Sequence, residues 1–189
     1  MADNRPEFDD YYMTLAQASA ARANCRGLDV GAVIVKNHRV LATGYNGTPE
    51  GFDNCDEGGC TRCSNRSVKE GDGGFKSGEG YDLCICVHAE SNAILSAAKH
   101  GIPLDGAVVY STHQPCFSCS KELLQAGIVK CWYLNGFPAP EPPSNEPLWD
   151  HLKEHWADLQ AKLESEQIEN PIAVSQALAE AAQRANPKT

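Results

Sequence analysis

Residues 46–83 constrain the fold of this chain more than any other feature. Nearly forty consecutive residues there are rich in Gly, Asp, Asn and Cys and show almost no apolar periodicity. A structureless loop of that length is improbable inside a compact domain unless something else holds it in place. The fold must therefore be assembled from the regular segments on either side, with this segment held between them.

The regular segments alternate between helical and strand patterns. Apolar groups at helical spacing follow Phe8, and two apolar runs joined by the short Lys36–Asn37 step predict a hairpin. In chain order, the pattern predicts a helix, two strands, the irregular segment, a helix, a strand, a helix and a strand, at 8–25, 30–35, 38–45, 46–83, 87–100, 107–111, 115–126 and 128–134. This order is typical of an α/β layered sandwich.

A proline-rich stretch separates this region from the C-terminal part of the chain. Five prolines fall within 137–147 and predict a linker. Beyond it, residues 148–164 have the apolar spacing of an amphipathic helix. This helix either forms an oligomer contact or packs on the core of its own chain. Residues 172–184 predict a second helix. The predicted division is a domain at 1–136 with a cysteine-rich insert at 46–86, a linker at 137–147 and a helical extension at 148–189.

The composition disfavours several classes of partner. The net charge is −9 and the pI is near 5.1, so a long nucleic acid is disfavoured because a negative surface repels its phosphates. No apolar run approaches the ~20 residues needed to span a bilayer. The acidic first ten residues lack the pattern of a signal peptide. We therefore expect a cytoplasmic protein without membrane contact, in which nine cysteines are metal ligands or catalytic groups rather than disulfides.

Two short motifs, each at the start of a predicted helix, supply the ligands of one metal. The first is His88-Ala89-Glu90, and the second is Pro115-Cys116-Phe117-Ser118-Cys119. Two cysteines three positions apart at a helix N-terminus point toward one place, and the helix dipole favours their thiolate forms. With the histidine they make three protein ligands, which is typical of catalytic zinc, whereas structural zinc has four. We expect the open position to take a water whose pKa falls to about 7.

Glu90 indicates the reaction that this zinc would serve. It lies two positions after the histidine, where it can take a proton from the activated water and pass it to a substrate nitrogen. The histidine, this glutamate and the two cysteines match the signature of zinc deaminases that act on nucleobases. Two other interpretations are a structural zinc knuckle or redox pair at the two cysteines, and a hydrogen-bonded core histidine at His88.

Longer matches resemble the deoxycytidylate deaminase family within the cytidine deaminase superfamily. The segments that carry the resemblance are VGAVIV at 30–35, TGYNGTP at 43–49, VHAESNAI at 87–94, PCFSC at 115–119 and QAGI at 125–128. GYNGTP and VHAESNAI are more specific than the zinc motifs, which the whole superfamily shares. The resemblance covers about residues 8–135 and implies a three-layer α/β/α sandwich with a mixed central sheet.

By this resemblance, the activity is hydrolytic deamination of dCMP to dUMP and ammonia by a zinc-activated water, with Glu90 as proton shuttle, supplying dUMP for thymidylate synthesis. Asn46 and Ala89 are expected to bind the substrate, and Arg22 and Arg26 are candidates for its 5′-phosphate. Family members often form hexamers, and many are activated by dCTP and inhibited by dTTP, so we expect a homo-oligomer with an effector site. The predicted effector-binding residues are Gly44, Tyr45, Asn46 and Gly47. The alternatives are a deaminase of dCTP or of a modified dCMP, and a non-catalytic zinc-stabilised nucleotide-binding module.

Seven cysteines remain after the catalytic pair, and most of them predict a second metal site. Cys60-x-x-Cys63 and Cys84-x-Cys86 have the spacing of metal ligands. A closed thiolate zinc site would hold the irregular segment in place, so we expect at least one structural zinc beside the catalytic one. Its ligands are these four by spacing, or a set that includes Cys25, Cys55 and Cys86 by the resemblance.

The sequence departs from the family pattern after residue 135. Members close their sheet with a short fifth strand after the fourth, but here the proline-rich stretch and a long helix intervene. We predict no convincing fifth strand, and Ile172–Val174 is the only candidate. Cys131 falls inside the fourth predicted strand, where we expect a buried apolar residue.

Overall fold

The computed structural model describes residues 5–65, 83–137 and 147–169. A 3-10 turn at Cys55–Glu57 lies within the irregular segment. The helices and strands are α1 (Phe8–Ala20), β1 (Gly31–Lys36), β2 (Arg39–Tyr45), α2 (Thr61–Ser64), α3 (Ala89–Lys99), β3 (Val108–His113), α4 (Phe117–Gln125), β4 (Lys130–Asn135), α5 (Pro147–Lys162) and β5 (Glu166–Gln167). The order predicted from the sequence is confirmed, although α1 ends five residues before Cys25.

The five strands form one mixed sheet in the order β2-β1-β3-β4-β5. β1 runs antiparallel to both β2 and β3, whereas β3, β4 and β5 are mutually parallel neighbours. The β1–β2 hairpin turns at Asn37 and His38, which both have positive φ angles, as a two-residue turn of the twist-matched kind requires. The parallel strands β3 and β4 are joined through α4, which is the expected helical crossover.

Helices cover both faces of this sheet, so β1 is buried on both sides. Ala32 and Ile34 belong to the core beneath α3 and α4, whereas Val33 and Val35 belong to the core beneath α1. This division follows from the alternation of side chains along a strand. The predicted three-layer α/β/α sandwich with a mixed central sheet is confirmed. Cys131 is fully buried in the core beneath α3 and α4, also as predicted.

A fifth strand is present, so the prediction that none follows β4 was wrong. Glu166–Gln167 lies parallel to β4, and the next amide, Ile168 N, donates to Tyr133 O at 2.8 Å. Both strand residues are polar and exposed, so no apolar alternation marks them in the sequence. The candidate at Ile172–Val174 lies outside the described residues.

The helix α5 packs on its own chain. Leu163, directly after it, is fully buried in the main core, and its carbonyl accepts from Cys131 N at 2.9 Å. This packing favours the second interpretation of the amphipathic helix. The domain division stays a prediction, because residues 138–146 and 170–189, which include the predicted helix at 172–184, lie outside the described part of the chain. Among the described helices, none is both long and apolar enough to cross a membrane.

Candidate metal centre and active site

Two helix N-termini converge at the candidate catalytic centre. His88 is the N-cap of α3 and Cys116 is the N-cap of α4, and both have extended backbone conformations. The helix α3 follows Val87, which forms a β-bridge with Gly47 just after β2, and α4 follows β3. Three predicted ligands, His88, Cys116 and Cys119, are thereby brought together, with their donor atoms within 4.8 Å of one another.

The distances between these donors fit a tetrahedral zinc site. His88 Nδ1 lies 3.4 Å from Cys116 Sγ and 3.4 Å from Cys119 Sγ. With Zn–N near 2.0 Å and Zn–S near 2.3 Å, the edge of a tetrahedron between nitrogen and sulfur is roughly 3.5 Å. One nitrogen and two sulfurs are also the donors that zinc prefers. The residues therefore fit zinc, and three ligands leave one position open.

The charged forms of Cys116 and His88 stabilise each other, whereas the hydrogen bond with Cys116 and burial raise the pKa of Cys119. A hydrogen bond with the Cys119 thiol, together with the neighbouring His88, lowers the pKa of Cys116 to about 4. The hydrogen bond between Cys116 and the His88 ring raises the pKa of His88 to about 9. In the metal-free protein the pair therefore favours a thiolate beside a protonated ring, and metal binding must displace the proton from that ring. The N-terminal end of α4 stabilises the thiolate further.

Glu90 lies in the first turn of α3 beside these ligands. Its side chain is 4% exposed, and burial raises its pKa. Its carboxylate accepts from its own backbone amide and from the Cys119 thiol, and Ser111 Oγ donates to Oε1 at 3.5 Å. The predicted proton carrier is thus a buried carboxylate in direct contact with the predicted ligand set.

Sequence reasoning missed the polar residues that support this centre. Ser111 is fully buried in β3, and its serine identity alone carries no sequence signal of this role. Ser91 Oγ lies 3.7 Å from Cys119 Sγ and also donates to Glu122. Partners of this kind orient metal ligands and tune their basicity.

A second missed feature is the support of the Cys116 loop by α5. The carbonyl oxygen of Pro115 accepts from Gln160 Nε2 at 3.1 Å and from Trp156 Nε1 at 3.3 Å. Gln160 Nε2 also donates to Ser120 Oγ at 2.7 Å, and its side chain is 8% exposed. The helix after the proline-rich stretch therefore fixes the residue before a predicted ligand.

The residues predicted to bind substrate have diverse surroundings. Asn46 is buried, its Oδ1 accepts from Val30 N at 2.8 Å, and its Nδ2 donates to Leu28 O at 2.7 Å, so it braces the entry to β1. Ala89 opens α3 and is fully buried. Arg22 and Arg26 are exposed, and Arg26 Nη2 donates to the carbonyl oxygen of Asp56 at 2.8 Å.

The residues predicted to bind an effector form the junction between β2 and α3. A Cβ on Gly44 would lie 2.1 Å from Ala89 O, so glycine is required for the close approach of strand and helix. Asn92 Nδ2 donates to Tyr45 O at 2.7 Å, and Gly47 exchanges two backbone hydrogen bonds with Val87. The GYNGTP loop thereby contacts the entrance to α3.

Six cysteines gather in a second cluster outside the catalytic centre. Four of them are buried and two are half-buried. The structure brings together the predicted set of Cys60, Cys63, Cys84 and Cys86. It also brings together Cys25, Cys55 and Cys86, with Cys63 as a fourth member.

The model of one protein family matches most of this chain. The description of that family is "Cytidine and deoxycytidylate deaminase zinc-binding region", and the match covers residues 6–135. A deoxycytidylate deaminase of Schizosaccharomyces pombe is 43% identical over 129 residues, 68% of this chain and 37% of that protein. A deoxycytidylate deaminase of Mycobacterium phage D29 is 38% identical over 130 residues, 69% of this chain and 96% of that protein. The chain thus spans well under half of the yeast relative and nearly all of the phage relative.

A solved structure is similar over nearly the whole chain. The dCMP deaminase of cyanophage S-TIM5, in complex with dCMP and dUMP, is 32% identical and has a TM-score of 0.61. The similarity covers 88% of this chain and 100% of the phage protein.

Proposed function

The chain belongs to the cytidine and deoxycytidylate deaminase family, and on that premise we propose that it catalyses the hydrolytic deamination of dCMP to dUMP and ammonia. The observation that carries the proposal is the buried Glu90 carboxylate in contact with a three-ligand zinc set. The similar cyanophage protein, whose structure contains dCMP and dUMP, supports the choice of nucleotide.

His88, Cys116 and Cys119 would hold the catalytic zinc. When bound, zinc supplies a Lewis acid that makes a nucleophilic water available near neutral pH. The chain contributes the orientation of these ligands through α3, α4 and the Pro115 carbonyl, which α5 fixes. Three protein ligands rather than four distinguish a reactive site from a structural one.

Glu90 carries the protons of the reaction. Its carboxylate takes a proton from the water that attacks C4 of the cytosine and delivers it to N3. It then takes the proton of the new C4 hydroxyl and transfers it to the amine, which leaves as ammonia as the C4 carbonyl forms. Because the side chain is buried, bulk water does not compete for these protons. Ser111 Oγ, which donates to Oε1, holds the carboxylate in position.

The remaining assignments rest on the family resemblance. Asn46 and Ala89 would contact the nucleotide, and Arg22 and Arg26 would meet its 5′-phosphate. We further infer a cytoplasmic homo-oligomer, a hexamer as in many members, that dCTP activates and dTTP inhibits. The effector would contact the GYNGTP loop at Gly44, Tyr45, Asn46 and Gly47.

The test is a Glu90→Gln variant, compared with Glu154→Gln on the exposed side of α5. We expect Glu90→Gln to keep the zinc content of the wild type and to lose about 10²–10⁴-fold in kcat for ammonia release from dCMP. Glu154→Gln should match the wild type in both measurements. Undiminished turnover in Glu90→Gln, with zinc retained, would reject Glu90 as the proton carrier.

The substrate is tested by ammonia release from dC, dCMP, dCTP, CMP and their 5-methyl forms, each with and without dCTP and dTTP. We expect the highest kcat/KM for dCMP, stimulation by dCTP and inhibition by dTTP. A preference for dCTP or a 5-methyl form would replace the substrate while leaving the chemistry intact. Ammonia from none of them would reject the enzymatic proposal.

A further inference from the structure

We propose that the six cysteines outside the catalytic centre form one binuclear zinc–thiolate cluster, in which two zinc ions share the thiolates of Cys63 and Cys86. The cluster comprises Cys25, Cys55, Cys60, Cys63, Cys84 and Cys86. Within the described residues these sulfurs form two groups of four, each with all its sulfurs within 4.8 Å of one another. Cys63 and Cys86 belong to both groups.

The sulfur–sulfur distances have the length of tetrahedral edges. A zinc ion with Zn–S near 2.3 Å places its four sulfurs roughly 3.8 Å apart. The first group is Cys25, Cys55, Cys63 and Cys86, and the second is Cys60, Cys63, Cys84 and Cys86. Cys63 Sγ lies 3.9 Å from Cys25 Sγ in the first group and 3.7 Å from Cys84 Sγ in the second. Cys60 Sγ and Cys84 Sγ are 3.8 Å apart. A single sulfur thus makes edges of zinc-site length with both groups.

The number of ligands requires the sharing. Two closed thiolate sites need eight ligands if they share none, and six cysteines are present, so two ions must have two thiolates in common. The geometry identifies the shared pair. Cys63 Sγ lies within 3.9 Å of a sulfur in each group. Cys86 hydrogen-bonds to Cys25 and Cys55 of the first group and also belongs to the second group. One ion would then have Cys25 and Cys55 as its unshared ligands, and the other would have Cys60 and Cys84.

Backbone amides donate to three of the six sulfurs, those of Cys25, Cys55 and Cys60. Arg26 N donates to Cys55 Sγ at 3.5 Å and Gly27 N donates to Cys25 Sγ at 3.4 Å. Cys60 Sγ accepts from the amides of Cys63 and Ile85. Such donors stabilise thiolates rather than neutral thiols.

Disulfides and simple apolar packing explain these observations less well. The sulfur separations of 3.7, 3.8 and 3.9 Å are well beyond the ~2.05 Å of a disulfide bond, and all six cysteines are free. Apolar packing would account for burial of the thiols, but not for amide donors aimed at the sulfurs. Soft thiolate ligands in tetrahedral sets select zinc or iron–sulfur clusters among the common metals, and the experiment separates these two.

The experiment measures metal content and metal–metal contact in the full chain. The catalytic zinc is first removed by a His88→Ala/Cys116→Ala double variant, so that the remaining metal reports on the cluster alone. We expect two zinc ions per chain, against three in the wild type, and an X-ray absorption spectrum with an all-sulfur first shell and zinc–zinc scattering. One zinc per chain without zinc–zinc scattering, or iron in place of zinc, would overturn the proposal.

Two further variants in the same background distinguish two zinc ions from a single one. Cys25→Ala and Cys84→Ala each remove an unshared ligand on a different side, so each should reduce the zinc content. A single zinc in the group that contains Cys60 would leave Cys25→Ala unchanged, whereas a single zinc in the group that contains Cys55 would leave Cys84→Ala unchanged. Cys131→Ala, in the core beneath α3 and α4, is the matched control and should retain both ions.

The cadmium-substituted protein provides a second measurement that needs no cluster variant. Two ¹¹³Cd NMR signals that are coupled to each other through shared sulfurs are expected from the double variant. Two uncoupled signals, or one signal, would contradict the bridging arrangement even if the cysteine variants failed to fold.

Discussion

Gly44→Ala should move the Glu90 carboxylate, the proposed proton carrier, by about one ångström. The added Cβ would lie 2.1 Å from Ala89 O and 2.6 Å from Ala93 N, both backbone atoms of α3. Ordinary contact begins near 3.4 Å, so strand and helix must separate by about 1.3 Å at the first turn of α3. Glu90 belongs to that turn, and His88 directly precedes it.

The size of the effect follows from this displacement. Overpacking of this kind costs about 1–3 kcal/mol of the free energy of unfolding. A misplacement of about 1 Å at a reacting group costs about 10²-fold in rate. We therefore expect Gly44→Ala to be less stable by about 1–3 kcal/mol and to lose about 10²-fold in kcat/KM for dCMP.

Gly31→Ala is the matched control because it makes the same clash on the other face of the sheet. Its Cβ would lie 2.1 Å from Ala16 O and 2.4 Å from Ala20 N, in α1. Urea unfolding should show a similar loss of stability, whereas ammonia release should show a much smaller loss of kcat/KM than in Gly44→Ala. Equal losses of kcat/KM in the two variants, or an unchanged kcat/KM in Gly44→Ala, would refute the reasoning.

Two further predictions concern stability. Gln160→Met keeps the length of the side chain but removes the donor to Pro115 O and Ser120 Oγ. The free energy of unfolding, measured by urea denaturation, should therefore fall by about 1–3 kcal/mol. Trp156→Phe, which removes only one hydrogen bond to Pro115 O, should lower it by less. Equal effects would contradict this. Burial lowers the pKa of His113, so the folded state binds this proton less readily than the unfolded chain. The contribution of neutral His113 to stability is therefore complete above pH 6.5, the pKa of an unperturbed histidine, and is lost as the pH falls below that value. In urea unfolding at a series of pH values, His113→Gln should lose stability less steeply on acidification than the wild type. A slope as steep as that of the wild type would argue against the assignment.

The sequence predicts the sandwich well because its central strands are apolar and its helices have clear stops. β1 is buried at five of its six positions, and Gly127 follows α4 with a positive φ, as a helix stop does. β5 escaped prediction because two exposed polar residues carry no periodicity, and its place depends on long-range pairing with β4. Local pattern does not contain that pairing.

The candidate site divides in the same way. His88, Glu90 and the two cysteines of α4 were predictable because the chemistry fixes their spacing at helix starts. The supports were not predictable, since Ser111 and Gln160 come from a strand and a helix separated by a proline-rich stretch, and only tertiary packing brings them to the site. The sequence left two cysteine sets open, and the structure brings both together, with Cys63 shared in addition to Cys86.

The proposed zinc–thiolate cluster would explain why the irregular segment lies beside the candidate catalytic centre. Cys86, a proposed bridging ligand, is two residues from His88, and Val87 between them is held by Gly47 through hydrogen bonds of 2.8 and 3.2 Å. Neighbouring apolar groups do not anchor this entry to α3, because Leu83 is 62% exposed and Ile85 is 38% exposed. Metal–thiolate bonds can supply the rigidity that a hydrophobic core supplies elsewhere, since metal binding is coupled to folding. The cysteine cluster would therefore determine the position of His88 Nδ1, and this position would in turn determine the geometry of the proposed catalytic zinc site.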